Sequence, residues 1–318
     1  MVTGGCGFIG SYVVDYLIHK GASHIIVIDN LSAGTSEKIL QTHLEKGKVT
    51  FLRKDIRAIQ PNDPEFEGIQ AVYHFAAQPS VPISVERPYY DFSVNVEGTI
   101  RILDAMRTQN VPFIIFAASG GTMYGERGDQ IANEETSLHP INNYGAAKAA
   151  AEMYLSSFAH LYNLGAISLR FGNIYGPRST HGVMYDFFNK LRANPHQLEI
   201  LGNGKQAKTY LFITDLIQAM DVASQALERG HFEAFNISTP LTVTVDEIAR
   251  LMVNALELEN VKFVYTGGER GWPGDVKKIK LDTSRINKMG WKPKITIEEG
   301  IKLYVDHLKR TEISGGDS

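Results

Sequence analysis

The chain predicts an α/β protein built on a doubly wound parallel sheet, with a smaller C-terminal α/β lobe beside it. Three observations point there. Short apolar, β-branched runs alternate with helical patterns through the first half, as parallel β-α-β units require. A glycine-rich turn, Thr3-Gly4-Gly5-Cys6-Gly7-Phe8-Ile9-Gly10, stands where a first strand should meet a first helix. Asp29 then closes the next apolar run, 22 residues past Gly7. Together these describe the Rossmann-type arrangement, in which a dinucleotide lies across the strand ends.

Only Met1 and Val2 precede the glycine turn, where about five strand residues are usual. Either the first strand is very short or a few residues precede it natively. Further strands are expected over 24–29, 49–52, 71–75, 113–118 and 165–171. Helices are expected from Phe8, over 95–109 and over 144–162. After Arg170 the rhythm breaks: Gly172, Gly176, Pro177 and Gly182 open a looser stretch. A helix over 213–228 and a strand over 234–237 read as a return to the main sheet. A helix at 245–256, a strand at 262–265 and a closing amphipathic helix at 297–309 follow. The expected division is 1–170 plus 213–240 for the dinucleotide-binding domain, and 171–212 plus 241–318 for the smaller lobe.

Bulk properties narrow the function. With 43% hydrophobic and 21% charged residues over 318 positions, the chain can bury a large core. A net charge of −3 gives no reason to bind nucleic acid or an anionic membrane. No apolar run approaches the roughly 18–20 residues that cross a bilayer. Cys6 is the only cysteine, so no internal disulfide forms and a reducing, cytoplasmic setting is expected. The histidines lack ligand spacing, so no metal site is expected.

Gly4, Gly7 and Gly10 let a diphosphate approach the backbone, and Phe8 and Ile9 open the helix whose free N–H groups face it. Asp29 can accept from the adenosine ribose hydroxyls and would repel a 2′-phosphate, which favours NAD over NADP. Further along, Tyr144 and Lys148 lie four apart on one helix face, 25 residues past Ser119. A free phenol titrates near 10. A neighbouring ammonium and a positive nicotinamide ring would favour its phenolate. Tyr144 could then take a proton from a substrate hydroxyl while hydride leaves the same carbon. Tyr16 and Lys20 repeat the spacing, but they end the first helix, remote from any strand terminus, and read as surface residues. Tyr144 and Lys148 instead follow a strand whose end delivers Ser119 and Thr122, where ligands of such sheets collect.

These residues resemble the extended short-chain dehydrogenase/reductase family, most closely its UDP-galactose (UDP-glucose) 4-epimerase-type members, over essentially the whole chain. The likeness is carried by the opening turn, by Asp29-Asn30-Leu31-Ser32-Ala33-Gly34, by Asp55-Ile56-Arg57 and by His74-Phe75-Ala76-Ala77. It continues through Asn95-Val96-Glu97-Gly98-Thr99, Arg170–Arg178, Gly202–Gln206 and Gly271-Trp272-Pro273-Gly274-Asp275-Val276. The resemblance implies bound NAD, with Asn30, Ser32, Ala33, Gly34, Asp55 and Ile56 at its adenosine end. Phe75, Ala76, Ala77, Asn95, Ala117 and Gly172 would lie along the rest. It further implies a UDP-sugar held by Asn173, Val183, Lys208, Arg270 and Asp275, with Ile279 bounding the space at C2 unless it is core packing.

Two departures stand out. Gly120 occupies the position where the family usually has Ser or Thr, so Ser119, Thr122 or a water would have to hold the sugar hydroxyl. Lys208 stands where many members have a diphosphate-binding Arg. The resemblance implies C4 epimerisation of UDP-glucose and UDP-galactose, and of their N-acetyl forms. The alternatives are a dehydratase or uronate decarboxylase of the same family, or a non-catalytic NAD-binding protein. It also implies a homodimer through a four-helix bundle. Apolar residues on more than one helix face (Met106, Met153, Tyr154 and Phe158) fit that, or simply a core.

Overall fold

A computed structural model describes residues 1–32 and 36–315, with side chains through Thr311. Seven strands form one parallel sheet: β1 (Val2–Thr3), β2 (Ile25–Asp29), β3 (Val49–Arg53), β4 (Ala71–His74), β5 (Phe113–Ser119), β6 (Gly165–Phe171) and β7 (Phe232–Ile237). Their order is β7-β6-β5-β4-β1-β2-β3. The strand order changes its sense of growth between β1 and β4, and this switch point opens a crevice at the carboxyl ends of the strands. The first strand spans two residues, Val2–Thr3. It is nonetheless central, because Val2 pairs with both Val27 and Tyr73.

Side chains alternate across the sheet with a period of two. From β5, Ile114, Phe116 and Ala118 join one apolar cluster while Ile115 joins the other. The first cluster is completed by α2 (Gly98–Thr108) and α3 (Asn143–Tyr162), through Ile102, Met106, Ala151 and Leu155. The second is completed by α1 (Phe8–His19) and α5 (Ile213–Ser224), through Val13, Val14, Ala219 and Met220. Tyr16 and Lys20 clip these two helices together, each donating to the Asp221 carboxylate, at 2.5 and 2.9 Å. The second Tyr-x-x-x-Lys pair is therefore structural.

Before α2 the helical path is not regular. Ser93–Glu97 form a π-helical stretch, an extra residue wound into the turn that carries Asn95.

The stretches 171–212 and 241–315 build around α4 (Val183–Ala193), α6 (Val245–Ala255) and α7 (Ile297–Gly315). Thr244 and Glu247 form a reciprocal capping box at the start of α6, which satisfies two otherwise free N–H groups. Strand Lys262–Tyr265 pairs in parallel with Gln197–Ile200. The apolar cluster runs without a break from Val13 and Leu169 to Met184, Met252 and Val305. The division into two lobes is thus a proposal about function, drawn across one continuous core.

A polar knot ties the lobe to the sheet. Arg170 meets the buried Glu152 carboxylate, with Nε to Oε2 at 2.9 Å, and donates to the Tyr124 hydroxyl at 2.8 Å. Tyr124 donates on to Asn236 Oδ1 at 2.7 Å, and Asn236 Nδ2 donates to the carbonyls of Ala132 and Asp282. Next to it, Lys280–Leu281 pairs with Ile131–Ala132.

Candidate active site

The glycine turn is shaped for a close ligand. Gly4 has φ +70°, and a Cβ there would lie 2.6 Å from Ala76 N. A Cβ on Gly10 would lie 2.0 Å from Gly4 O, so α1 seats on the turn only with glycine. Gly7 caps α1 with no side-chain hydrogen bond and no acidic residue in the first turn. The N–H groups of the turn that begins at Phe8 and Ile9 therefore keep their affinity for an anion. A Cβ on Gly7 would meet only Gly4 O, at 3.2 Å. Burial and the Asp29 carboxylate push the Cys6 thiol up to about 12, so it is a protonated packing residue.

Asp29 ends β2 with its carboxylate fixed from both sides. Oδ2 accepts from Cys6 N at 3.0 Å and Oδ1 from Leu31 N at 2.8 Å. Each oxygen retains a lone pair for a ribose hydroxyl. Asn30 Nδ2 donates to Asp55 Oδ2 at 2.8 Å, and Ser32 N donates to Asn30 Oδ1 at 3.0 Å. The bidentate Arg57 guanidinium holds the Asp55 carboxyl down at about 2. Ile56 packs over Gly98, where a Cβ would come within 2.6 Å of its Cδ1. Ala33 and Gly34 lie outside the described residues.

Beneath the cradle, His74 is buried between two hydroxyls, with Thr3 Oγ1 at 2.6 Å from Nδ1 and Thr99 Oγ1 at 3.0 Å from Nε2. Thr99 Oγ1 already donates to Asn95 O at 2.8 Å. Nε2 must therefore carry the ring proton, and Nδ1 accepts from Thr3. Burial, with Lys148 nearby, drives the imidazole down to about 3, so it stays neutral. Thr3 Oγ1 also accepts from Ala76 N at 3.3 Å, which anchors the Phe75-Ala76-Ala77 turn at the end of β4.

At the end of β5 the expected reactive residues converge. Thr122 Oγ1 donates to Ser119 Oγ at 2.8 Å, and the Ser119 hydroxyl acts to lower the Tyr144 phenol. Lys148 Nζ donates to Ala117 O at 2.9 Å, lies 4.8 Å from the centre of the Phe116 ring and 6.0 Å from that of Tyr144. Asn142 caps α3 by accepting from Gly145 N at 2.7 Å, and Ser84 Oγ accepts from Tyr144 N at 3.1 Å. Gly120 is a packing necessity: a Cβ would sit 2.5 Å from Leu281 Cδ1 and 2.7 Å from Arg170 O. The hydroxyl beside Tyr144 is therefore that of Ser119, oriented by Thr122.

Lys148 by itself does not bring the phenol down. Tyr144 is raised rather than lowered, because burial and the Asp91 carboxylate outweigh the Ser119 hydrogen bond. Burial lowers Lys148 to about 8, with Asp91 opposing. Gln78 and Asp91, which sequence reasoning missed, form a buried polar group with Asn95. The available signal was Asp91 and Asn95 four apart, two polar residues on a helix face that should be apolar.

On the opposite wall, Lys208 Nζ meets the buried Asp275 carboxylate at 2.5 Å and lies 4.9 Å from the Trp272 ring centre. Arg270 donates to Asp275 O and, at 3.0 Å, to Glu126. Asn173 is exposed and donates to Thr209 O at 3.2 Å. Gly172 lies against Thr209, where a Cβ would fall 2.4 Å from Oγ1. Val183 opens α4, half-buried. Thr209 Oγ1, Gln206 Oε1 and Trp272 Nε1 are buried without hydrogen-bond partners, an unmet donor and acceptor set suited to a polar ligand. Ile279 does not belong to this wall. It is 2% exposed and packs with Tyr124, Val276 and Leu281, so core packing, not the space at C2, accounts for it.

Comparison with known proteins agrees with this geometry. Residues 1–304 match the family model described as GDP-mannose 4,6 dehydratase. A putative UDP-glucose 4-epimerase of Methanocaldococcus jannaschii is 33% identical, over 97% of this chain and 98% of that protein. The crystal structure of a Thermotoga maritima UDP-glucose 4-epimerase with UDP-glucose superposes with a TM-score of 0.86, at 34% identity and 98% coverage of both chains. That of a Thermus thermophilus UDP-glucose 4-epimerase with NAD gives 0.85, at 33% identity, covering 97% of this chain and 98% of the other.

Proposed function

Because the chain belongs to the extended short-chain dehydrogenase/reductases, within the family described as GDP-mannose 4,6 dehydratase, we propose that it is an NAD-dependent UDP-hexose 4-epimerase. It would interconvert UDP-glucose and UDP-galactose, and their N-acetyl forms, through a 4-keto sugar. The observation that carries this is the Thr122–Ser119–Tyr144 relay beside Lys148, with no carboxylic acid at the end of β5. The family's dehydratases usually place an acid/base pair at positions that are here Gly121 and Thr122. That favours epimerisation over elimination.

The glycine turn, Asp29 and Asp55 fit NAD, whose diphosphate takes the α1 terminus and whose ribose takes Asp29. When bound, NAD⁺ accepts the C4 hydride and returns it, and its positive ring favours the phenolate. Tyr144 takes the O4 proton in the oxidised half of the cycle and restores it in the other. Ser119, oriented by Thr122, holds that hydroxyl toward Tyr144. Lys148, lowered only to about 8, is mostly protonated at neutral pH and keeps its positive field beside the phenol. On the far wall, Lys208 with Arg270 and Asn173 would take the diphosphate. Lys208 would then exchange Asp275 for phosphate oxygen.

The protein would work in the cytoplasm as a homodimer. Met153, Tyr154, Leu161 and Tyr162 are exposed on α3, beside exposed Tyr89 and Phe92 on the helix that packs against it. Met106 is fully buried and takes no part. No described helix is long and apolar enough to cross a membrane.

The test is incubation of the NAD-loaded protein with UDP-glucose, UDP-N-acetylglucosamine and UDP-glucuronate separately. Products would be identified by mass and by proton coupling at C4. Unchanged mass with an inverted C4 is expected. Loss of water would mean a dehydratase, loss of carbon dioxide a decarboxylase, and no turnover a non-catalytic protein.

A further inference from the structure

The turn from Arg270 to Asp275, part of the wall proposed to take the diphosphate, is closed on itself. Asp275 Oδ2 accepts from Gly271 N at 3.2 Å, Asp275 N donates to Trp272 O at 3.2 Å, and Arg270 donates to Asp275 O. Lys208 is tied to the same carboxylate at 2.5 Å. Such a turn moves as one piece, and its outer fastenings decide where the wall stands.

Two side chains fasten it to the half that carries Tyr144. Glu126, just past Tyr124, holds the flanks: Oε2 meets Arg270 Nη2 at 3.0 Å, and Oε1 accepts from Lys277 N at 3.0 Å. Asn142 holds the middle, where Nδ2 donates to Gly274 O at 2.9 Å across 132 residues of sequence. Gly274 is fitted to this contact, since its φ is +79° and a Cβ there would lie 3.0 Å from Asn142 Cβ. The Oδ1 atom of Asn142 meanwhile caps α3, accepting from Gly145 N at 2.7 Å. Serine, threonine or aspartate would cap the helix as well. Among these short side chains, only the asparagine amide has separate atoms for both tasks, an acceptor for the cap and a donor for Gly274. On its other side the helix start is pinned to the helix Val81–Glu86, with Tyr144 N on Ser84 Oγ at 3.1 Å and Asn143 Nδ2 on Ser84 O at 2.8 Å.

We propose that Asn142 is a positioning residue that sets the span between the diphosphate wall and the Tyr144 phenol. One amide group holds the wall at Gly274 and α3 at Gly145. A UDP-hexose anchored by its diphosphate then presents C4 at a fixed distance from the proton-transfer group. The inference deepens the epimerase reading and rests on it for the identity of the substrate.

The experiment compares NAD-loaded wild type with Asn142→Ser, which keeps the cap and removes the donor. Glu126 still ties the turn in that variant, so NAD content, melting temperature and affinity for UDP alone should stay close to wild type. Turnover of UDP-glucose should fall about tenfold in kcat with KM little changed, because the substrate binds but is misplaced. Unchanged kcat, or a loss confined to KM, overturns the proposal. Amide hydrogen exchange gives a reading independent of turnover. UDP should slow exchange at the Gly145 N–H in wild type and not in Asn142→Ser; slowing in both, or in neither, also overturns it. Should Asn142→Ser melt early, Asn142→Asp takes its place, since the carboxylate caps α3 yet turns an acceptor toward Gly274 O. If wild type turns over no UDP-hexose, the epimerase reading fails, and exchange at Gly145 still decides the role of Asn142.

Discussion

The Thr122 hydroxyl donates to Ser119 Oγ across 2.8 Å, which commits the Ser119 proton to the Tyr144 side. Thr122→Val removes that constraint without removing the Ser119 hydroxyl. One neutral hydrogen bond of about 1.4 kcal/mol corresponds to about a tenfold loss of kcat, and Thr122→Ser should recover it. Steady-state kinetics of the three proteins check this. Equal rates for Val and Ser at this position would show that Ser119 needs no orientation.

Tyr144→Phe should lower turnover by about 10³-fold, the usual scale for losing a positioned acid/base group, with NAD still bound. Lys148 titrates at about 8 in the ligand-free protein. The pH dependence of kcat/KM, which reports the free enzyme, should therefore fall above about pH 8 as the ammonium is lost. A flat alkaline limb in wild type would refute the role given to Lys148.

His74 predicts the acid side of stability. Its folded-state pKa, about 3, lies below the ordinary value near 6.5. The unfolded chain binds a proton that the folded chain refuses between those values. Stability from this group is complete above about pH 6.5 and falls by up to about 1.4 kcal/mol per pH unit as pH drops toward 3. His74→Gln, which can still donate to Thr99 and accept from Thr3, should flatten the denaturation midpoint against pH over that window.

Ile279→Tyr tests the corrected placement. Forcing a phenol into the cluster of Tyr124, Val276 and Leu281 should cost about 1–3 kcal/mol from overpacking. A lower melting temperature is expected, with no selective loss of N-acetyl substrate. Intact stability with selective loss would return Ile279 to the sugar site.

What could be read beforehand follows the range of the interactions. Short apolar, β-branched runs marked 165–171 and 262–265 at the observed bounds, and other main strands to within two residues. Those patterns are local, and the glycine turn with its acidic partner is nearly so. The helix expected over 213–228 stops at Ser224 because a series of tight backbone turns replaces it through Leu227. Gly120 could not be explained from sequence, because its side-chain space is filled by Leu281, 161 residues away. Asp91 was hidden for the same reason. Its carboxylate is held by Gln78, which lies 13 residues earlier in a preceding loop.

The π-helical winding at Ser93–Glu97 fits one extra residue into the helix without disturbing the turns that follow. Excising that residue would restore the regular α repeat and leave α2 in phase, so Thr99 would stay on His74. Asn95 would lose the wide turn from which it reaches Gln78 and Asp91 together. A chain shortened by that single link would retain every atom proposed to do chemistry. It would still lose the joint that those three side chains make.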